Sequence, residues 1–311
     1  MPTVDELVER LLAGNRRALS RLLTVIENAS PEGRRALAQL YPRSGRAHTI
    51  GLTGSAGAGK STLSGALARE LRRRGMTLAI VAIDPTSPFS HGALLGDRIR
   101  MQDLTSDPGV YVRSMATRGN LGGVAASTAG VVTALDAFGY DVVLIETVGA
   151  GQDEVEVATM ADTTVVVLTP GAGDDVQAMK AGIMEIADIL VVNKCDLPNA
   201  DLFARQLASI VEFSTGDRKT PILKTAGGMN EGVEALADAL AEHRAYIEQS
   251  AVRDAHRREQ ARHQVLTLAR QRLIDRVVAA HSSDGRLDDL VERVSKRTLD
   301  PHSAADALIN E

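Results

Sequence analysis

The sequence has no tryptophan, only four Phe and four Tyr, and a single cysteine among its 311 residues. So few aromatic rings argue against a protein that reads single-stranded nucleic acid by stacking on its bases. One cysteine excludes an internal disulfide and a cysteine-cluster metal site. No apolar run approaches the roughly 18 residues that a membrane-spanning helix needs. The core must therefore be aliphatic, and we expect no membrane partner.

The charge and the first residues also limit the choice of function. The net charge is −5, which offers no broad basic surface for nucleic acid or an anionic membrane. The chain starts MPTVDELVERLLAG, without the basic and then apolar leader of a secreted protein. We expect a cytoplasmic protein that does not bind nucleic acid.

Hydrophobic periodicity divides the chain into three predicted parts. Residues 1–45 predict a helical arm, because Thr3 and Glu6 form a capping box and Ser30 precedes Pro31 at a second helix start. Residues 46–235 alternate apolar runs with helix-like stretches, which is typical of an α/β fold with a mostly parallel, doubly wound sheet. Residues 236–311 predict a helical extension. Strands are expected at 48–53, 78–83, 142–145, 164–168, 189–192 and 221–223, with 110–112 as a candidate extra strand.

A phosphate-binding loop follows the first predicted strand. The pattern G-x-x-x-x-G-K-[ST] lies between a strand and a helix, the context in which its glycines let backbone N–H groups surround phosphates. Lys60 would reach the β- and γ-phosphates, and the Ser61 hydroxyl would ligate Mg²⁺. The predicted phosphate-binding residues are Gly54, Ser55, Ala56, Gly57, Ala58, Gly59, Lys60, Ser61 and Thr62.

A second motif predicts guanine rather than adenine. Asn193, Lys194 and Asp196 form N-K-x-D directly after a predicted strand, so they fall on the same sheet edge as the phosphate loop. Asp196 can accept from guanine N1–H and its 2-amino group, a donor pair that adenine lacks. Asn193 can contact the other edge of the base, and the Lys194 stem can pack on its face. After the next strand, a backbone N–H of Thr225, Ala226 or Gly227 could meet guanine O6.

Two carboxylates end strands at this edge. Asp84 follows the second strand and Glu146 a later one, and carboxylates so placed can hold Mg²⁺ directly or through its waters. We expect Ser61, Asp84 and Glu146 to form the metal site. Lys60, Asp84 and Glu146 are the predicted catalytic residues, which position groups and neutralise charge in phosphoryl transfer.

Five motifs together resemble a known family: GSAGAGKST, AIDPTSP, RSMATRGNLGG, ETVGAGQ and NKCD. They resemble the metallochaperone-type branch of the SIMIBI-class P-loop GTPases, and within it the methylmalonyl-CoA mutase-associated (MeaB/ArgK-type) family. The resemblance covers nearly the whole chain. It implies a GTP/GDP- and Mg²⁺-binding chaperone of an adenosylcobalamin-dependent acyl-CoA mutase, which gates cofactor loading and protects the mutase. It also implies a homodimer joined through the C-terminal helices.

The same resemblance implies mobile switch segments. Asp84 and Asp97 would lie in the first switch, and Glu146 to Gln152, with Gly149, in the second. A further segment, 173–180, would face the mutase. Its implied partner-facing residues are Asp174, Gln177 and Lys180. A water-orienting glutamine is not evident, although Gln152 is a candidate, and Arg113, Arg118 or Lys180 could supply a cation to the transition state.

Three other functions compete with this interpretation. One is an ATP-using kinase of a basic amino-acid (arginine/ornithine) transport system, against which N-K-C-D argues. Another is a nickel or cobalt metallochaperone of the same branch, but the sole Cys195 lies in the base loop and His91 is the one histidine near a switch. The third is a helical scaffold that binds nucleotide only for stability.

Overall fold

A seven-stranded parallel sheet is the frame of the computed structural model, with strand order β3-β2-β4-β1-β5-β6-β7. The structure describes residues 2–84, 102–116, 123–147, 158–171, 183–211, 219–282 and 284–309. The strands are β1 (His48–Thr53), β2 (Leu78–Asp84), β3 (Val110–Ala116), β4 (Val142–Thr147), β5 (Thr163–Leu168), β6 (Ile189–Asn193) and β7 (Ile222–Thr225).

Burial on both faces explains why the central strands are apolar runs rather than alternating ones. Every residue of β1, β4, β5 and β6 is buried, as parallel strands covered by helices require. The α/β prediction is confirmed, and the candidate strand at 110–112 is real and longer, forming the edge strand β3.

Helices cover both faces of the sheet. They are α1 (Val4–Leu12), α2 (Arg16–Glu27), α3 (Pro31–Leu40), α4 (Lys60–Arg73), α5 (Gln102–Thr105), α6 (Gly123–Phe138), α7 (Ala200–Val211), α8 (Val233–Ile247), α9 (Ser250–Ser282), α10 (Arg286–Ser295) and α11 (Pro301–Ile309). Short 3-10 turns lie at Tyr41–Arg43, Ile183–Ile186 and Gly227–Met229. The arm helices and α6 share one apolar core with β2, β3 and β4, whereas α4 and α8 pack on the opposite face.

The helical arm begins as its capping signals predict. The Thr3 hydroxyl accepts from the Glu6 N–H, and the Glu6 carboxylate accepts from the Thr3 N–H. Ser30 caps α3, which has proline in its first turn. Because α3 lies close to α2, a Cβ on Gly33 would come within 2.7 Å of the Val25 carbonyl oxygen.

A polar stripe on α2 covers the edge strand β3. Arg16 donates to the carbonyl oxygens of Pro108 and Val110, at 3.0 and 2.5 Å. Nearer the end of α2, the Glu27 carboxylate lies 2.6 Å from the guanidinium of Arg113 in β3. Backbone groups and side chains that an edge strand would otherwise leave unpaired are thereby satisfied.

The chain separates into two compact units, residues 1–260 and 261–311. Within the second unit, the described residues form helices with one buried hydrophobic side chain, Leu290. The helical prediction for the C-terminal part agrees, and Pro301 begins α11. Among the described residues no helix is both long and apolar enough to cross a bilayer.

The register of the sheet brings the predicted site strands together. β1 lies between β4 and β5, and Leu52 pairs with Glu146 on one side and Val165 on the other. Ala82 of β2 also pairs with Glu146. The carboxyl ends of β1, β2 and β4 therefore finish at nearly the same level, on one edge of the sheet.

Candidate functional site

The loop between β1 and α4 has a backbone that glycine permits. Gly54, Gly57 and Gly59 have φ values of 135°, 80° and 89°, in the region that side chains disfavour. A Cβ on Gly54 would lie 2.1 Å from the carbonyl oxygen of Val167 in β5. The loop is thus pressed against the neighbouring strand, which fixes its position at the sheet edge.

Positive charge collects at the end of this loop. Helix α4 begins at Lys60, and its N-cap Gly59 makes no side-chain cap bond. Lys60 is only 5% exposed, and its Nζ donates to the carbonyl oxygens of Gly54 and Ser55 at 2.5 and 2.8 Å. An ammonium group and a helix N-terminus at one point suit a polyphosphate anion.

The remaining predicted loop residues differ in accessibility. Ala56, Gly57 and Thr62 are exposed, Ser55 and Ser61 are partly buried, and Ala58 is buried. The exposed residues leave one side of the loop open to solvent. A ligand could approach from that side.

Two of the three predicted metal ligands lie in contact. The Ser61 hydroxyl donates to Glu146 Oε1, and Glu146 is 4% exposed. Asp84 is the last residue of β2, one position beyond Ile83, which pairs with Thr147; its side chain is outside the described part. Hydroxyl and carboxylate oxygens are the donors that Mg²⁺ prefers, so the chemistry of this pair fits that ion.

Asn193 is hydrogen-bonded to two neighbouring loops. It is 2% exposed, and its Nδ2 donates to the carbonyl oxygen of Ala58 at 2.8 Å. Its Oδ1 accepts from the Thr225 hydroxyl at 3.0 Å and from the Gly227 N–H at 3.3 Å. The amide therefore connects three loops and acts as a clamp between them, and its second Nδ2 hydrogen remains available in principle to a base edge.

Lys194 also connects the second motif to the phosphate loop. It has a φ of 56°, and its Nζ donates to the carbonyl oxygen of Gly57 at 2.8 Å. Its stem therefore spans the gap between the two loops, where it could cover the face of a planar base. Asp196, two residues further, is exposed and open to a ligand. The neighbouring Cys195 is partly buried, and burial raises the pKa of its thiol.

The loop after β7 lies against the start of α4. A Cβ on Gly227 would come within 3.1 Å of Leu63 Cα, so glycine allows the two backbones to approach. The Ala226 N–H donates to the Glu231 carbonyl oxygen at 3.1 Å, and the Gly227 N–H donates to Asn193. Two of the three amides predicted near guanine O6, those of Ala226 and Gly227, therefore have partners within the protein.

Several predicted residues lie outside the described part of the chain. These are Asp97, Gly149, Gln152, Asp174, Gln177 and Lys180, together with Arg118 and His91. Arg113, a candidate transition-state cation, is described and donates to Glu27 and to the Thr24 hydroxyl of the arm. Within the described ranges there is no group of three or more His, Cys, Asp or Glu that could hold a metal ion.

Sequence reasoning missed the contacts that join the two loops. The patterns themselves indicate phosphate and base, but not that Asn193 and Lys194 donate to carbonyl oxygens about 135 positions earlier. The one sequence signal was the close spacing of glycines in the phosphate loop, which leaves its carbonyl groups accessible to a neighbouring loop.

Comparison with known proteins gives a consistent result. The family model "Methylmalonyl Co-A mutase-associated GTPase MeaB" matches residues 19–282. A putative GTPase of Pyrococcus abyssi is 45% identical over 313 residues, covering 99% of this chain and 96% of the relative. A methylmalonic aciduria type A homolog, mitochondrial, of Caenorhabditis briggsae is 39% identical over 227 residues, 68% of this chain and 54% of the relative. A crystal structure of a LAO/AO transport system kinase is similar in fold, with a TM-score of 0.74 at 24% identity, covering 98% of this chain and 96% of that one.

Proposed function

This chain belongs to the methylmalonyl-CoA mutase-associated GTPase (MeaB) family, and from that premise we propose that the carboxyl edge of its sheet binds GTP with Mg²⁺ and hydrolyses it. The family predicted from the sequence motifs is confirmed, and with it the assignment as a guanine-nucleotide-binding GTPase. We further propose which residues bind the nucleotide, that the metal is Mg²⁺, and which protein is the partner.

The observation that carries the proposal is the direct bonding of one loop to the other. Asn193 and Lys194 donate to the carbonyl oxygens of Ala58 and Gly57, at 2.8 Å in both cases. A phosphate loop and an N-K-x-D loop held at this separation form the two ends of one purine-nucleotide site. If N-K-x-D were an ordinary surface turn, its side chains would be expected to bond to water rather than to the phosphate loop.

The described residues divide the chemistry among them. Lys60 and the first N–H groups of α4 would bind the β- and γ-phosphates and stabilise the charge that develops in the transition state. Ser61 and Glu146 would hold Mg²⁺, with Asp84 at the adjacent strand end. When bound, the ion would neutralise phosphate charge and fix the phosphate oxygens. Asp196 would distinguish the base.

Exchange of Asp196 for asparagine tests the base assignment. The amide nitrogen can donate to the 2-oxygen of xanthine, whereas the carboxylate accepts from the 2-amino group of guanine. We expect Asp196→Asn to lose at least about tenfold in GTP affinity and to gain XTP affinity, because each unpaired polar group costs about 1–3 kcal/mol. Displacement of a fluorescent GTP analogue by GTP and XTP measures this.

Asp201→Asn is the matched control for that exchange, because Asp201 is an exposed aspartate of α7 that pairs with Lys224. It should leave the preference for GTP unchanged. If Asp196→Asn keeps the preference for GTP, the base assignment is wrong. If Lys60→Ala binds the analogue as tightly as the wild type does, the phosphate assignment is wrong.

The kinase alternative is decided by the same displacement assay. A transport-system kinase would use ATP, and the solved kinase that this chain resembles shares the fold at 24% identity. We expect ATP to displace the analogue at least about a hundredfold less well than GTP does, as sites built around a hydrogen-bonded group discriminate strongly. Equal displacement by the two nucleotides would favour the kinase.

We place the GTPase with an adenosylcobalamin-dependent acyl-CoA mutase, probed first with methylmalonyl-CoA mutase. Support comes from the description of the family to which the chain belongs. The GTPase would gate cofactor loading and protect the mutase. Purified mutase should co-elute with the GTP-analogue-loaded protein in gel filtration and raise its GTP turnover. Absence of both effects, with GTP binding intact, would reject this partner.

The exposure of apolar side chains in residues 261–311 supports a homodimer. Leu290 is the one buried hydrophobic side chain of its described residues, and a unit with so small a core gains little from apolar burial. The α9 side chains of Val265, Leu273 and Ile274 are 65%, 59% and 58% exposed. A second copy of the chain would cover such side chains.

A further inference from the structure

A chain of polar groups lies at the opposite, amino edge of the sheet; three of its members are buried, and the Asp188 side chain is 37% exposed. His48 Nε2 lies 2.7 Å from the Thr163 hydroxyl, and that hydroxyl lies 2.8 Å from His243 Nδ1. His243 Nε2 lies 3.3 Å from Asp188 Oδ1. The His48, Thr163 and His243 residues are 5%, 0% and 3% exposed. None of them belongs to the nucleotide site.

The order carboxylate, imidazole, hydroxyl is that of a nucleophilic triad, but this arrangement cannot act as one. Thr163 has no exposed surface, and its hydroxyl lies within hydrogen-bond distance of both His48 and His243. No substrate could reach the oxygen. The group must serve through its own protons.

The hydroxyl makes the two imidazoles depend on each other, because it has one proton to donate. With both rings neutral and His243 Nε2–H facing Asp188, the Thr163 hydroxyl donates to His243 Nδ1 and accepts from His48 Nε2–H. When His243 takes a proton on Nδ1, it becomes the donor to Thr163. The oxygen could accept from both rings, but its own buried proton would then lack an acceptor, because the two imidazoles are its partners among the described residues. We therefore expect the hydroxyl to donate to His48 Nε2, so that His48 carries its proton on Nδ1 instead.

We propose that Asp188, His243, Thr163 and His48 form a proton-operated switch, in which one proton taken up by His243 reverses the hydroxyl and exchanges the tautomer of His48. The proton balance is an uptake of one: His48 releases Nε2–H and gains Nδ1–H, and His243 alone becomes charged. Burial, the Arg244 charge and His243 lower the pKa of His48 to about 3, which keeps His48 neutral throughout.

Other charged groups near the switch have partners of their own. Arg244 donates to the Arg46 carbonyl oxygen and to Glu248, and the Tyr246 ring of the same helix lies beside His243, tilted by 30° with ring centroids 6.0 Å apart. Asp162, next to Thr163, accepts from the Thr49 N–H and faces His256 of α9. Asp188 is therefore the one carboxylate of this group that faces His243 directly.

The switch joins the far ends of the elements that carry the nucleotide loops. His48 begins β1, which leads to the phosphate loop, and Asp188 precedes β6, which leads to Asn193. His243 lies on α8, which starts just beyond Gly227. A charged His243 bonds more strongly to Asp188 and holds α8 more tightly to the sheet. We expect slower release of guanine nucleotide at lower pH; this consequence rests on the proposed function, whereas the switch itself does not.

Nuclear magnetic resonance of imidazole nitrogens tests the switch without nucleotide. The full chain, with nitrogen-labelled histidine, is titrated from about pH 8 to about pH 5.5. We expect His243 to become doubly protonated and His48 to pass from the Nε2–H to the Nδ1–H tautomer with the same midpoint. Exposed His302 serves as an internal reference. A His48 that keeps Nε2–H, or that becomes charged, would overturn the proposal.

Two substitutions of Thr163 distinguish loss of the coupling between the two histidines from a general disturbance of folding. Thr163→Val keeps the volume but removes the hydroxyl, so His243 should titrate while the tautomer of His48 stays constant. Thr163→Ser keeps the hydroxyl and should keep the common midpoint. Coupling that survives in Thr163→Val would refute the role of the hydroxyl.

Nucleotide release is measured separately, by stopped-flow dissociation of the fluorescent GTP analogue. We expect release to slow about fivefold between the two pH values in the wild type, at the low end of coupling between sites, and to change less than about twofold in Thr163→Val. If the nitrogen titration succeeds but release does not depend on Thr163, the switch stands and its link to the nucleotide is wrong. If no analogue binds at all, the proposed function fails and the switch is still tested.

Discussion

Truncation of Asn193 to alanine distinguishes a clamp from a base contact. The amide makes three hydrogen bonds to buried groups: the Ala58 carbonyl, the Thr225 hydroxyl and the Gly227 N–H. Leaving a buried donor or acceptor unpaired costs about 1–3 kcal/mol. The 3.3 Å bond is weak and water can enter part of the vacated space, so we expect Asn193→Ala to lose about 3 kcal/mol of unfolding free energy.

Urea unfolding without nucleotide measures this loss, because a base contact contributes nothing there. A loss of about 3 kcal/mol is within the stability of an ordinary domain, so the variant should still fold. Asn193→Asp keeps the Oδ1 acceptor but points a second oxygen at the Ala58 carbonyl, and should be at least as destabilised. Gln206→Ala, which truncates an exposed amide on α7, should change stability by less than about 0.5 kcal/mol.

The opposite result would refute the clamp. If Asn193→Ala unfolds at the wild-type urea concentration while its affinity for GTP falls, the amide acts on the base, as the motif alone suggests. A large stability loss together with weaker GTP binding supports the clamp.

Three further predictions concern pH, the edge strand and assembly. Burial lowers the pKa of His48 to about 3 in the folded protein, whereas a histidine in the unfolded chain has a pKa of about 6.5. Below about pH 6.5 the unfolded chain therefore binds more protons than the folded one. Stability should therefore fall as the pH drops, by about 2 kcal/mol at about pH 5, and urea midpoints of His48→Gln should show a smaller fall. Arg113→Met leaves the half-buried Glu27 carboxylate unpaired and should cost about 2–3 kcal/mol in urea unfolding, part of which Glu27→Met in the same chain should restore. Leu273→Asp should shift a sedimenting dimer to monomer, and a wild type that sediments as a monomer at low concentration would contradict the homodimer.

Local signals were sufficient to predict most of the fold. The apolar runs that became β1, β4, β5 and β6 could be recognised because burial on both faces removes the usual alternation. Thr3, Glu6 and Pro31 marked helix starts, since capping uses residues only three apart. The phosphate loop was predicted in place because its residues are consecutive. Each of these features depends on neighbours along the chain.

Long-range contacts could not be predicted in the same way. Nothing near Asn193 indicates the Ala58 carbonyl, and His48, Thr163, Asp188 and His243 are scattered over almost 200 positions. Arg113 was considered as a catalytic cation, although strand alternation places it on the face of Tyr111 and Met115, which pack with the arm. The alternation of side chains along β3 would have predicted that Arg113 has a partner in the helical arm.

The two edges of the sheet differ because their backbone groups are satisfied differently. At the amino edge, aspartates accept from N–H groups around the strand starts: Asp136 from Arg46 and Ala47, Asp162 from Thr49, and Asp188 from Thr164. Charge-assisted bonds of this kind are strong and local. At the carboxyl edge, Lys60 and the loop carbonyls satisfy each other by contacts that a polyphosphate can replace. Fixed strand starts therefore allow the opposite ends to exchange partners without loss of register, as a site that binds and releases nucleotide requires.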